Sequence, residues 1–248
     1  MSDGSDGFRI AHLFADHGVE SEVLSAFGHV TRFTIDPRPT PFVDETVQID
    51  LMAEKPLGRF DLALLHPNCG DVADTTSITG DLDEQEFQIT RAREIAESIA
   101  DHYVIENKPR NELRDSTVMT GYQFGLPFEY KRAFESSFLI RAPVREQQLT
   151  EKSVTPYFYS DRTKEWWLAV KGYRGDYPKS HLSKNALPAV YVQTVVRSWL
   201  EAVNDRDGTV PQDNNQPAPP KVAEDQTTLV QADGWRNDCP VDTEGDHS

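Results

Sequence analysis

Apolar positions in the first half of the chain follow two alternating periods. "FRIAHLF" (8–14), "HVTRFTI" (29–35), "TVQID" (46–50) and "FDLALLH" (60–66) read as strands. The last has the near-continuous hydrophobicity of a strand covered on both faces. "VESEVLSAF" (19–27) places Val19, Val23, Leu24 and Phe27 on one side of a short helix. "DEQEFQITRAREIAESIADH" (83–102) reads as a longer helix with an acidic start that suits its dipole, and "YVIE" (103–106) as a fifth strand. Strands alternating with helical patterns predict an α/β fold, a Rossmann-like doubly wound parallel sheet.

Regularity fades from Leu139 to Asp161, and "TKEWWLAVKGYRGDYPKSHLSKN" (163–185) is aromatic and locally basic. "LPAVYVQTVVRSWLEAV" (187–203) reads as a terminal helix. The expected organisation is a disordered start over 1–7, a core over 8–138, and a small irregular basic-aromatic region over 139–186. A terminal helix over 187–204 then returns to the core, and an acidic tail over 205–248, rich in Asp, Gln, Asn and Pro, is expected to be disordered.

Charge changes this picture in two ways. The 248 residues carry a net charge of −16, and Arg outnumbers Lys. Self-repulsion of that size is relieved by salt, because the Debye length falls to about 3 Å at 1 M; the chain reads as a halophilic protein of a salt-rich cytoplasm, the alternative being an ordinary acidic cytosolic protein. Yet residues 163–185 hold Lys164, Lys171, Arg174, Lys179 and Lys184 against only Glu165 and Asp176. Cations interleaved with aromatics suit backbone contact and base stacking, so Lys171, Arg174, Lys179 and Lys184 are candidate DNA contacts. The alternative is a loop whose tyrosines pack on the domain. No run of eighteen apolar residues predicts a membrane span, and "MSDGSDG" has no leader-like pattern, so a cytoplasmic location is expected. Cys69 and Cys239 have neither a CxxC partner nor a His at ligand spacing, so no metal is expected.

Ligands of doubly wound sheets bind beyond the carboxyl ends of the strands. The loops there are "LFADHGVES", "TIDPRP", "QID", "HPNCGD" and "VIENKP". Two of them deliver a Cys and a Glu-Asn pair, groups suited to chemistry. In "FADHG", "PNCG", "IENKP", "GLPFEYKRAFES" and "NALPAVYVQTVVRSWL", the chain resembles the DNA (cytosine-5)-methyltransferase family, particularly its short phage-type members. The resemblance runs from about Ile10 to Val203 and rests on five short motifs in the family's order.

The resemblance implies S-adenosylmethionine as cofactor and cytosine in DNA as substrate. Cys69 would add to the sixth carbon of the ring, and Glu106 would donate a proton or hydrogen bond to the neighbouring ring nitrogen. Asn107 would order the loop, Arg132 would hold the base or a phosphate, and the base would be flipped out of the duplex. Phe14 and Gly18 would lie near the methionine end of the cofactor and Asp50 near its adenine. The departures fall in these same loops. Asp16 replaces a Gly of the cofactor loop, and Thr34 stands where an acid would hold the ribose, with Asp36 as a possible substitute. Asn68, Gly70 and Lys108 replace a Pro, a Gln and a Val. A second reading is therefore a catalytically inactive binding protein on the methyltransferase fold. A third is another nucleotide enzyme in which the Cys is incidental.

Overall fold

The computed structural model of the chain describes residues 7–15, 17–68, 82–109, 112–144, 154, 156 and 159–206. Seven strands form one sheet: β1 (Phe8–Leu13), β2 (Gly28–Thr34), β3 (Glu45–Gln48), β4 (Phe60–Leu65), β5 (Ala100–Asn107), β6 (Thr117–Met119) and β7 (Arg132–Ser136). Their order is β3-β2-β1-β4-β5-β7-β6. The first five run parallel, and β7 lies antiparallel to both β5 and β6. The order reverses between β1 and β4, the switch point at which doubly wound sheets hold ligands. The expected Rossmann-like α/β architecture, with its parallel strands and helices, is the observed one.

The two-residue period of the strands divides the core in two. Ala11, Leu13, Phe33, Ala63, Leu65, Ile105 and Ala133 face α2 (Leu82–Ile99) through its Ile89, Ala92, Ile95 and Ala96. Ile10, Val30, Leu62, Leu64, Val104 and Phe134 face the opposite layer, with Trp167, Tyr191 and Trp199. Those rings lie on α3 (Lys164–Lys171) and α5 (Ala189–Arg206). Two short α-helices, α1 (Ser21–Leu24) and α4 (Lys179–Lys184), and two 3-10 turns, Gly121–Phe124 and Tyr159–Asp161, are the other helical elements among the described residues.

Three element boundaries differ from the sequence reading. The long helix ends at Ile99, because Ala100 and His102 pair with Phe60 and Leu62 on β4 and the fifth strand takes them. The first helix shrinks to one turn, Ser21–Leu24. Within 139–186, two helices replace the expected irregularity, one capped by the Thr163 hydroxyl accepting from Trp166 N at 3.2 Å. Among the described residues no helix is long and apolar enough to cross a membrane.

One ionic contact joins the sheet to α2. Arg93 donates through Nε and Nη2 to Glu135 at 2.6 and 2.8 Å, and Arg114 N donates to the same carboxylate at 2.8 Å. Both side chains are buried. Removing one partner of such a pair leaves a buried charge, which costs about 3–5 kcal/mol. Glu135→Ala should therefore lower unfolding stability by about that amount in urea titrations.

Candidate functional site

Strand parity sets the site. On the face shared by Ile10, Leu64 and Val104, the next positions toward the carboxyl edge are His12, His66 and Glu106. The parallel register puts His12 opposite Arg32 and Leu64. Arg132 enters from the antiparallel β7, whose first residue lies at that same edge. An apolar row in the sheet thus gives way to a buried polar row just where the strands end.

A cavity of about 500 Å³ opens over this row, a volume typical of small-molecule sites. Phe14, Gly18 and Glu20 line it from the loop after β1, Thr34 and Ile35 from β2, and Asp50 and Met52 from beyond β3. His66, Pro67 and Asn68 follow β4, and Glu106, Arg132, His181 and Asn185 close the far side. Phe14 has φ 57° and Gly18 φ 59°. A bulky side chain in the left-handed region is a strained arrangement that clusters at functional sites. A Cβ on Gly18 would meet Arg32 and Thr40 at 3.2–3.3 Å.

Glu106 is the electrostatic centre. Its Oε2 accepts from His66 Nδ1 at 2.9 Å, and its Oε1 lies 3.3 Å from Arg132 Nε. Burial alone would raise this carboxyl, but Arg132, the His66 hydrogen bond and Lys171 outweigh it and hold the pKa below the ordinary range. Burial would conversely lower His66, and its contact with Glu106, aided by Glu20, raises it. The contact thus favours the ionised form of Glu106 and the protonated form of His66 relative to either group alone. Tyr130, also at positive φ, has Arg132 Cζ 4.5 Å and Lys171 Nζ 3.9 Å from its ring centroid, and burial pushes the pKa of Lys171 well down.

The structure brings Phe14, Gly18, Asp50, Glu106 and Arg132 to one cavity. Asn107 lies beneath it, its Nδ2 donating to Pro67 O at 3.1 Å and so tying the β5 loop to the β4 loop. Cys69, Gly70 and Asp16 lie outside the described residues. Asp36 is not among the lining residues; it is exposed and pairs with Arg38. Thr34 lines the wall in its stead.

Lys171 is a correction to the sequence reading. It is 1% exposed, and its ammonium donates to Ser183 O at 3.0 Å and to Ala186 O, so it is closed to a phosphate. Tyr173 and Tyr177 are also buried, their hydroxyls donating to Leu187 O at 2.8 Å and Glu22 at 3.2 Å, which removes them as stacking platforms. Arg174 remains outward, with its side chain 90% exposed. Lys179 donates to Arg162 O at 3.1 Å, and Lys184 offers its carbonyl to the Tyr130 hydroxyl at 2.9 Å.

Four residues escaped the sequence reading: His12, Glu20, His66 and Ile35. A His in the middle of the apolar run "FRIAHLF" was the available signal for the first. Ile35 is 61% exposed on the cavity wall, an apolar surface with no protein covering it.

No protein-family model matches the sequence, and no curated protein matches it. Solved structures give weak likenesses. A candidate DNA modification methyltransferase from an E. coli prophage is 14% identical with a TM-score of 0.39, over 61% of this chain and 54% of that one. A candidate RNA methyltransferase of Pyrococcus horikoshii is 15% identical at 0.34, over 53% and 74%. Magnesium protoporphyrin IX methyltransferase of Synechocystis PCC 6803, solved with bound S-adenosylmethionine, is 15% identical at 0.34, over 54% and 72%. The chain thus spans about half of the prophage protein's length. These likenesses stand as observations, and the fold rests on the strand order.

His181 supplies a pH prediction. Burial first, then His17 at 4.2 Å between ring centroids, Lys171 and His66 push its pKa down to about 3. The unfolded chain takes up a proton below about pH 6.5 that the folded chain refuses, so stability falls as pH drops through that window. Between pH 7.5 and 5, His181→Gln should lose up to about 2 kcal/mol less than the parent chain, as read by urea unfolding at both pH values.

Proposed function

We propose that the chain is an S-adenosylmethionine-dependent methyltransferase acting on cytosine in DNA, with Cys69 as the nucleophile. The observation that carries the reading is the pairing of Glu106 with Arg132 in the wall of the cavity that Phe14, Gly18 and Asp50 also line. Asn68, the residue before Cys69, lines the same cavity and has its amide held by Gln88 Oε1 at 2.9 Å.

The lining fits the cofactor. The volume is adequate, and Ile35, Ile49, Leu51 and Met52 form an apolar wall beside Asp50, which suits a purine face with an acid near its amine. Glu20 supplies a second carboxylate for a cationic group. When bound, the cofactor supplies an electrophilic methyl group. The residues of the chain do the rest. Cys69 attacks the ring as a thiolate, and Arg132 orients the base. Glu106 holds the ring nitrogen once it has taken a proton, and His66 Nδ1, 2.9 Å away, is the adjacent donor. Arg174 contacts the DNA backbone.

A non-catalytic binding protein on the same fold is the second reading, favoured by Thr34 lining the wall where an acid would hold the ribose. Calorimetry and methyl transfer separate the two. S-adenosylmethionine should bind in molar KCl, and tritium from its methyl group should appear in DNA. Cys69→Ala should abolish both transfer and the covalent adduct with a 5-fluorocytosine oligonucleotide. Glu106→Gln should slow transfer by about 10²–10⁴-fold. Cofactor binding with no label in DNA leaves the scaffold reading, and transfer that survives Cys69→Ala removes the thiol mechanism.

The basic segment gives a separate outcome. Arg174→Ala should lower the slope of log affinity for DNA against log salt by about one. Lys171→Met should leave that slope unchanged in the same fluorescence titrations.

A further inference from the structure

Beside the Glu106–Arg132 pair lies a cluster of side chains whose mutual approach methyl transfer does not require. One ligand atom from each of His12, Glu20 and His66 falls within 4.8 Å of the others, the one such group among the described residues. The three come from β1, the loop after it and the end of β4, too far apart in sequence to show as a spacing motif.

Each side chain is held by a partner that leaves one atom pointing inward. His12 Nδ1 shares a hydrogen bond with Ser21 Oγ at 2.7 Å. Glu20 Oε1 accepts from Leu187 N at 2.8 Å. His66 Nδ1 donates to Glu106 Oε2 at 2.9 Å. What remains are His12 Nε2, Glu20 Oε2 and His66 Nε2. Both Nε2 atoms are buried without a hydrogen-bond partner, and His12 is 0% exposed. His12 Nε2 already lies 3.8 Å from Glu20 Oε2. An imidazole held through one nitrogen by a carboxylate, with the other nitrogen free, is the usual outer-shell arrangement of a metal-bound histidine.

The geometry points to a divalent transition-metal site, zinc being the first candidate, with His12 Nε2, Glu20 Oε2 and His66 Nε2 as its ligands. Two imidazoles and one carboxylate form a donor set for zinc that leaves a fourth position open. Glu20 and His66 both line the cavity, so that position faces the space where a small molecule would sit. Metal–ligand bonds of about 2.0–2.1 Å put tetrahedral ligands roughly 3.3 Å apart, so the three side chains draw together on binding. The surroundings temper the affinity, because Arg32, Arg132 and Lys171 face the cluster against the carboxylates of Glu20 and Glu106. The site does not depend on the methyl-transfer reading.

The test uses the whole chain, freed of metal by chelation, with no cofactor or DNA. Cobalt(II) titration should end at one equivalent with the intense visible bands of a four-coordinate ion, and zinc should displace it. His66→Gln and Glu20→Gln should each weaken cobalt binding by more than about tenfold, while His29→Gln leaves it unchanged. His12→Gln should do the same as the first two if its buried site tolerates the change; the result stands on the other two variants if that chain does not fold. Absence of stoichiometric binding overturns the proposal, and so does binding that survives both His66→Gln and Glu20→Gln.

Discussion

A carboxylate buried at the end of a sheet must be answered by cations, and Glu106 imposes that constraint on everything around it. Arg132 and His66 answer it directly. Arg132 in turn needs acceptors, which it finds in the Tyr130 hydroxyl at 2.9 Å and Lys184 O at 3.3 Å. Lys171 reaches Ser183 O and Ala186 O, and Glu20 takes Leu187 N. The end of α4 and its link to α5 are thus bonded through their backbone by charged side chains from β7, α3 and the loop after β1. Glu106 and Arg132, which line the cavity, are thus also part of what closes the fold.

This changes the meaning of the basic-aromatic segment. Tyr173 and Tyr177 build the wall behind the site, and Lys171 contributes its charge inward. Glu22 anchors the following loop by accepting from Arg174 N and Gly175 N at 2.8 and 2.9 Å. The local excess of cations over acids therefore serves the interior as much as the surface. Arg174 is the outward part of it.

Legibility followed locality. Strand positions were readable because an apolar run at a sheet's centre has few alternatives, and the order of strands and helices restricted the topology. The boundary of α2 was not readable, since "ADH" suits a helix end as well as a strand start, and pairing with β4 decided it. Glu106 and Arg132 were found because they lie in motif-like loops. His66 opens the loop that carries Cys69, but nothing local tells a histidine with a free nitrogen from one that merely packs.

Resemblance in five short motifs singled out Phe14, Gly18, Asp50, Glu106 and Arg132; the sequence by itself determined the fold class and the strands whose carboxyl ends carry reactive groups. Those features depend on periodicity and order, which are local properties. Only the tertiary structure decided that Lys171 turns inward, that Asp36 stays off the cavity and that His12, Glu20 and His66 meet. Such encounters depend on register across strands and on which groups can share a dry space, and both are settled by packing residues far apart in the chain.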